Sequence, residues 1–155
     1  MNLQNFRVEE LKEFLVEAKK STYAGDGQII APSRLGSKDL PYKKGDYYYL
    51  DSYLGSINFI GEEAVWYRDT PIWGMNYYGE MLVENIPDGF SKCLKGALLM
   101  LPLDSPFRGP HVYQSNEYRY ECVWKGDMSS FCGEEFIYLE DNLIYELKFH
   151  GGYIK

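Results

Sequence analysis

A pentapeptide that occurs twice places the strongest constraint on how this chain folds. FIGEE spans residues 59–63 and FCGEE spans residues 131–135. With a shift of 72 positions, seven residues of the 21-residue window 59–79 recur identically, where residue frequencies give roughly one or two. We therefore interpret the chain as an internal duplication whose halves span approximately 6–84 and 85–155.

The repeated pentapeptide predicts local structure rather than chemistry. In a strand, its two glutamates point to opposite faces of the sheet. Its glycine, Gly61 in one copy and Gly133 in the other, predicts a β-bulge or a close approach of another backbone. Because both copies keep the two glutamates, a structural role is favoured over a catalytic one.

Hydrophobic periodicity predicts the same order of elements in each half. Apolar residues at helical spacing predict one helix over 6–20 and a second within 86–102. A polar segment with glycine and proline follows each helix, at 21–45 and at 102–116, and we interpret both segments as long loops. Strand-like alternation then predicts six strands, at 46–55, 57–68, 72–82, 117–125, 130–140 and 142–152.

These elements predict an α+β fold. We expect a single domain over residues 1–155, with an antiparallel sheet of about six strands built from two α-β-β-β repeats. Two helices are expected to pack on one face of this sheet. The other face, or the seam between the halves, is then available for a binding cleft.

Charge and hydropathy exclude several classes of function. The net charge of −7 disfavours binding to nucleic acid or to an anionic membrane surface. No apolar run approaches the roughly 20 residues that span a bilayer, and the first residues lack the apolar core of a signal peptide. We therefore expect a cytoplasmic protein without a nucleic-acid or membrane partner.

Metal and cofactor sites are also not expected. The three cysteines, Cys93, Cys122 and Cys132, show no C-x-x-C spacing and have apolar or aromatic neighbours, which is typical of reduced thiols. His111 and His150 are the only histidines, too few for a usual zinc site. No glycine-rich dinucleotide motif or P-loop is present.

The aromatic content points to a small-molecule site. Aromatic residues make up 17% of the chain, and the predicted strands carry acidic side chains among them. This combination fits a neutral or cationic organic ligand, because aromatic faces and carboxylates both attract cations. The expected contacts in an aromatic cleft are Tyr49, Tyr53, Trp73, Tyr77 and Tyr78, with Glu62 or Glu134 as the charged contact and Arg108 and His150 as further site residues.

Two arginines lie in corresponding loops, Arg34 in PSRLGS and Arg108 in PFRGP. An arginine beside glycine holds an anion through two parallel hydrogen bonds in many proteins. In an acidic chain it equally pairs with a carboxylate of its own protein. Both interpretations stay open from the sequence.

Two other classes of function compete with ligand binding. In the first, exposed aromatic strands form a surface for a protein partner or a homodimer, and no ligand pocket exists. In the second, His150 and a carboxylate serve a small hydrolase or isomerase. The acidic candidates are Asp51, Glu62, Glu63, Glu134, Glu135 and Asp141, and their spacing does not select a pair.

Several segments together resemble a bacterial family known only as a domain of unknown function. They are LDSYLG at 50–55, FIGEE, PIWGMNYYG at 71–79, FRGP at 107–110 and YELKFHGG at 145–152. Members of that family are free-standing or follow an N-terminal helix-turn-helix regulator, so the resemblance implies a sensing or regulatory domain. It implies no activity, cofactor or catalytic residue.

A second resemblance concerns architecture and composition. The predicted fold is similar to the effector-binding domains of multidrug-sensing regulators, which are α+β duplications with an aromatic cleft and a buried acid. That resemblance implies a ligand site at the seam between the halves. It does not fix the function, because one fold supports many functions.

Overall fold

The computed structural model describes residues 6–25 and 27–155. In this part of the chain two helices and eight strands form an α+β fold, which confirms the predicted class. The elements are α1 (Val8–Ser21), β1 (Lys38–Lys44), β2 (Tyr47–Gly55), β3 (Asn58–Tyr67), β4 (Thr70–Met81), α2 (Phe90–Leu99), β5 (Val112–Ser115), β6 (Tyr118–Asp127), β7 (Ser130–Leu139) and β8 (Asn142–Tyr153).

All eight strands belong to one antiparallel sheet with the order β1-β2-β3-β4-β8-β7-β6-β5. Each half of the chain thus contributes four consecutive strands, and the halves meet where β4 pairs with β8. At this seam Tyr77 pairs with Phe149, the residue 72 positions later. Of the β4–β8 pairs, this is the one whose members are related by the offset found in the sequence.

The prediction of about six strands was wrong, because β1 and β5 lie within segments interpreted as loops. Both occupy the outer edges of the sheet. β1 contains Pro41 and three lysines, and β5 has only four residues. Proline, lysine and short length are usual in edge strands, where they discourage pairing with other chains, and they hide the strand pattern in the sequence.

Both helices share a hydrophobic core with the sheet. α1 contacts β1 and β2, α2 contacts β5 and β6, and the helices contact each other. α1 buries Leu11, Phe14, Leu15 and Ala18, and α2 buries Phe90, Cys93, Leu94, Ala97 and Leu98. Among the described residues, no helix is long and apolar enough to cross a membrane.

The repeated pentapeptide allows close packing of an aromatic ring on the neighbouring strand. A Cβ added at Gly61 would lie 2.4 Å from the ring of Tyr77, and one added at Gly133 would lie 2.3 Å from the ring of Phe149. The bulges lie four residues after these glycines, at Val65/Trp66 and Ile137/Tyr138. Close approach, and not a bulge, therefore explains both glycines.

Candidate functional site

A cavity of about 220 Å³ lies between the helices and the first half of the sheet. Apolar and aromatic side chains form much of its wall, including Phe59, Phe90, Leu94, Leu98, Leu101 and Phe107. Exposed residues such as Lys38, Ser56 and Ser91 also line it. The cavity is thus bounded by the core on one side and by solvent-exposed residues on another.

Charged side chains line the buried part of the same cavity. Lys19, Asp51, Glu63 and Arg108 all contribute to its lining, and each is at most 7% exposed. Buried charges are unfavourable unless they are paired or hydrogen-bonded. The partners of each group therefore determine what the cavity can bind.

Arg108 is held by Glu135, the second glutamate of FCGEE. The guanidinium donates from Nε to Oε2 at 2.9 Å and from Nη2 to Oε1 at 2.8 Å. Tyr120 and Tyr145 donate their hydroxyl hydrogens to the same carboxylate at 2.6 and 2.9 Å. Burial opposes the charge on Arg108, but Glu135 raises the pKa of Arg108 well above its ordinary value.

Lys19 is paired with Glu63, the second glutamate of FIGEE. Lys19 Nζ lies 2.6 Å from Glu63 Oε2 and donates a hydrogen bond to the carbonyl oxygen of Phe107 at 2.6 Å. Lys19 and Glu63 therefore form an ion pair within the core. Burial lowers the pKa of Lys19, and the charge of Glu63 opposes this effect.

Asp51 differs from the two glutamates because it has no cationic partner. It lies directly opposite Glu63 in the β2–β3 register, and Tyr77 donates its hydroxyl hydrogen to Asp51 Oδ1 at 2.6 Å. Within the described ranges, Asp51 forms no ion pair: Lys19 pairs with Glu63, and Arg108 pairs with Glu135. Burial and the neighbouring charge of Glu63 raise the pKa of Asp51 to about 7.

The corresponding place in the second half has no third acid. Cys122 lies opposite Glu135 in the β6–β7 register, as Asp51 lies opposite Glu63. The ring that corresponds to Tyr77 is Phe149, which has no hydroxyl group. The carboxyl and hydroxyl pair that lines the cavity is therefore present in the first half alone.

Four of the nine predicted site residues line the cavity: Tyr49, Tyr53, Tyr77 and Arg108. Trp73 does not line it; this side chain is fully buried and stacks on Phe131 with ring centroids 5.6 Å apart. Tyr78 is 43% exposed, and Glu62, Glu134 and His150 are exposed as well. The structure therefore brings together about half of the predicted set.

The four predicted residues that are exposed alternate with buried neighbours along their strands, so they lie on the face away from the helices. Glu134 and His150 line a shallow groove there together with Cys132 and Lys148. His150 pairs in register with Cys132 on one side and with Asn76 on the other. In the described part of the chain it makes no side-chain hydrogen bond to a carboxylate, and no cluster of potential metal ligands is found there.

Sequence reasoning named Asp51, Glu63 and Glu135 only among the acids of the hydrolase or isomerase alternative, and it did not name Lys19. Because side chains alternate along a strand, the two glutamates of each copy were predicted to point to opposite faces of the sheet. The structure confirms this prediction: Glu63 is buried whereas Glu62 is exposed. A signal for which of the two is buried was present, because Phe59, a candidate core residue, and Glu63 are four positions apart and therefore share a strand face. Lys19 lies on the buried stripe of α1, one position after Ala18, and that spacing was the available signal.

The hydrogen bonds show whether each arginine is free to bind an anion or is paired within its own protein. Arg108 holds a carboxylate of its own chain. Arg34 donates from Nη2 to the carbonyl oxygen and to Oγ of Ser52, each at 2.8 Å. Both guanidinium groups thus have partners within the protein.

Comparison with known proteins identifies the family. The model of DUF5680, a domain of unknown function, matches residues 51–154. Searches of curated proteins and of solved structures return no match. The resemblance to a family of unknown function is confirmed in this respect, whereas the fusion to regulators and the similarity to effector-binding domains stay predictions. Because the match extends over more than half of the sequence, from within β2 to the end of β8, the chain belongs to the DUF5680 family.

Proposed function

We propose that this protein is a non-enzymatic binding and sensing module for a small organic ligand that occupies the cavity beside Asp51. One observation carries the proposal: an apolar and aromatic cavity of about 220 Å³ contains a few convergent buried polar groups. Ligand sites in proteins typically have this composition. A dry cavity of roughly 150 Å³ accommodates benzene, so this cavity fits a ligand of somewhat larger size.

The two long connections support a sensing role. The segment after α1 contributes Tyr23 and Ala24 to the cavity, and the segment after α2 contributes Leu101, Phe107 and Arg108. A ligand would therefore contact both connections and both helices. Binding would therefore alter the position or mobility of these helices and connections, which a partner protein can detect at the surface.

A thermal-denaturation screen tests the proposal. Purified protein is heated with a panel of neutral and charged organic compounds small enough for a cavity of about 220 Å³. A compound that binds only the native state at a hundredfold excess over Kd adds about 2.7 kcal/mol of stability. We expect a chemically related group of compounds to raise the melting temperature.

Two variants of α2 locate the bound compound. Ser91 is exposed and lines the cavity, whereas its neighbour Lys92 is exposed and does not. Ser91→Phe should fill the exposed end of the cavity and abolish the rise in melting temperature that the compound causes. Lys92→Phe should leave that rise unchanged. Equal loss of binding in both variants, or no stabilising compound in the panel, would contradict the proposal.

An interaction or dimerisation module is the second candidate. Ile60 and Tyr78 pair in the β3–β4 register and are 54% and 43% exposed on the sheet face away from the helices. Contiguous exposed apolar side chains often mark interfaces. Light scattering at increasing protein concentration tests this candidate: a stable dimer that dissociates in Tyr78→Glu favours it, and a monomer at all concentrations contradicts the dimer.

The domain organisation and the compartment belong to the same proposal. We propose that one domain arose by duplication of a helix followed by a four-strand meander, since bulges and ring-covered glycines recur 72 positions apart. The three cysteines are free, which fits a reducing, cytoplasmic environment. Denaturation as a single transition, with all three thiols titrating in the unfolded state, is the expected result.

A further inference from the structure

We propose that the cavity recognises a small organic monocation, a protonated amine with an apolar body, and that Asp51 holds its charged end. The inference rests on the proposed function, because it names the class of ligand for the same cavity. It follows from the charges that surround Asp51 and from the position that corresponds to Asp51 in the second half.

Of the five buried charged groups at and beside the cavity, one carboxylate has no cation. Glu63 pairs with Lys19, and Glu135 pairs with Arg108. Asp51 accepts one hydrogen bond from Tyr77, although an ionised carboxylate offers about four acceptor positions. When all five groups are charged, the cluster carries one net negative charge. A single positive charge in the cavity would neutralise it.

The fold does not require an acid at this place. The corresponding position of the second half is Cys122, which is fully buried opposite Glu135. A small, weakly polar side chain therefore packs there without loss of the sheet. Because burying an unpaired carboxylate is unfavourable, the presence of Asp51 is explained by a partner that arrives from the cavity.

The walls of the cavity suit the rest of such a ligand. Phe59, Phe90 and Tyr53 line it with aromatic rings, and ring faces attract organic cations. Lys38, which lies over the ring of Tyr53 at 5.5 Å from its centroid, adds a positive charge among the exposed lining residues. This charge disfavours a ligand with a second cation at its other end.

Binding of a monocation at Asp51 is coupled to protons. Several groups face Asp51: Glu63 from β3, Tyr77 from β4, Lys19 from α1, Arg108 from the segment after α2, and Tyr49 and Tyr53 from β2 itself. Burial and Glu63 favour a proton on Asp51 near neutral pH. An ammonium group then competes with that proton. Affinity for the amine should fall about tenfold per pH unit once Asp51 is protonated.

Matched pairs of primary amines and alcohols with alkyl or phenylalkyl bodies test the inference, with binding measured by calorimetry. At pH 8 at least one amine should bind the wild-type protein at least tenfold more tightly than its alcohol. Asp51→Asn should remove that preference, and Glu62→Gln, which changes an exposed acid of the next strand, should retain it. In the wild-type protein, the affinity of the amine should fall between pH 8 and pH 5.5 while the affinity of the alcohol stays constant.

The possible results separate this inference from the proposed function. If alcohols bind the cavity as tightly as their amines at both pH values, the monocation inference is overturned and ligand binding stands. If neither series binds, the monocation inference is overturned, and a broader thermal screen that is also without effect overturns ligand binding as well. The pH series needs no variant, so a misfolded Asp51→Asn protein would not prevent a decision.

Discussion

Arg108 and Glu135 form a two-point ion pair in the core, with side chains only 6% and 0% exposed. Glu135→Gln would leave the guanidinium charged and without a counter-ion. Breaking one partner of a buried pair typically costs about 3–5 kcal/mol, so we expect a loss of that size in the free energy of urea unfolding.

An exposed ion pair provides the control for this change. Arg68 and Asp46 are 2.7 Å apart, but their side chains are 64% and 51% exposed. Solvent screening makes the contribution of such pairs to stability small. If Asp46→Asn destabilises the protein as much as Glu135→Gln, the core ion pair does not have the importance assigned to it.

A methyl group at Gly133 should destabilise the sheet. A Cβ there would lie 2.3 Å from the ring of Phe149 and 2.4 Å from the carbonyl oxygen of Val123, and neither can move freely. Overpacking of this kind costs about 1–3 kcal/mol, to be measured by chemical denaturation of Gly133→Ala.

Gly74→Ala is the matched control within the same sheet. At Gly74 the nearest atoms to an added Cβ are 3.4 and 3.5 Å away, which is ordinary contact. We expect a change smaller than that of Gly133→Ala. Equal losses in both variants would show that close approach of the ring is not the reason for the glycine in FCGEE.

The sequence predicted a helix or strand correctly wherever the spacing of its apolar residues matches the face that the element buries in the core. Both helices and six strands were predictable because each has a regular apolar face against the core. β1 and β5 were not, since edge strands carry proline, charge or few residues and bury little. Their pairing depends on the neighbouring strands β2 and β6, which a local pattern does not contain.

The site was predictable only in part because its charges meet over long distances in sequence. Lys19 contacts the carbonyl group of Phe107, 88 residues later. Asp51 shares a strand face with Tyr49 and Tyr53, as alternation implies, but the helices decide that this face lines the cavity. The exposed Glu62 and the buried Glu63 are equivalent in composition and differ only in the side of the sheet on which they lie.

Asp39 should make the protein sensitive to acid. Burial disfavours its charge, but hydrogen bonds from Ser33, Ser37 and Ser52 outweigh burial and lower the pKa of Asp39 to about 2. Because the pKa is lower in the folded state, this group stabilises the fold above pH 3.8, and the contribution is lost as the pH falls towards 2. Unfolding free energies between pH 2 and pH 7 measure this dependence.

Asp39→Asn should lower the free energy of unfolding at pH 7. It should also reduce the loss of stability between pH 7 and pH 2 by the contribution of this one carboxyl group. The exposed acid Asp104 gives the comparison, because Asp104→Asn removes the same kind of charge without those hydrogen bonds. If Asp39→Asn keeps the acid sensitivity of the wild-type protein, the hydrogen bonds from Ser33 and Ser37 to this carboxylate do not hold the segment before β1.

Asp51 should have the opposite dependence on pH. Its pKa is raised to about 7 by burial and by Glu63, so the folded state binds a proton more tightly than the unfolded state does. The contribution of this proton to the free energy of unfolding is fully present below pH 3.8 and is lost as the pH rises through 7. In the absence of ligand, Asp51→Asn should therefore be at least as stable as the wild-type protein at pH 8, with a smaller difference at pH 5.

Urea denaturation at these two pH values distinguishes Asp51 from Glu135, a buried acid with a counter-ion. Glu135→Gln removes the counter-ion of Arg108 and is expected to be destabilising at both pH values, whereas Asp51→Asn removes a charge that has no counter-ion. If Asp51→Asn proved as destabilising at pH 8 as Glu135→Gln, Asp51 would be a structural partner within the core. Its carboxylate would then not be held ready for a ligand.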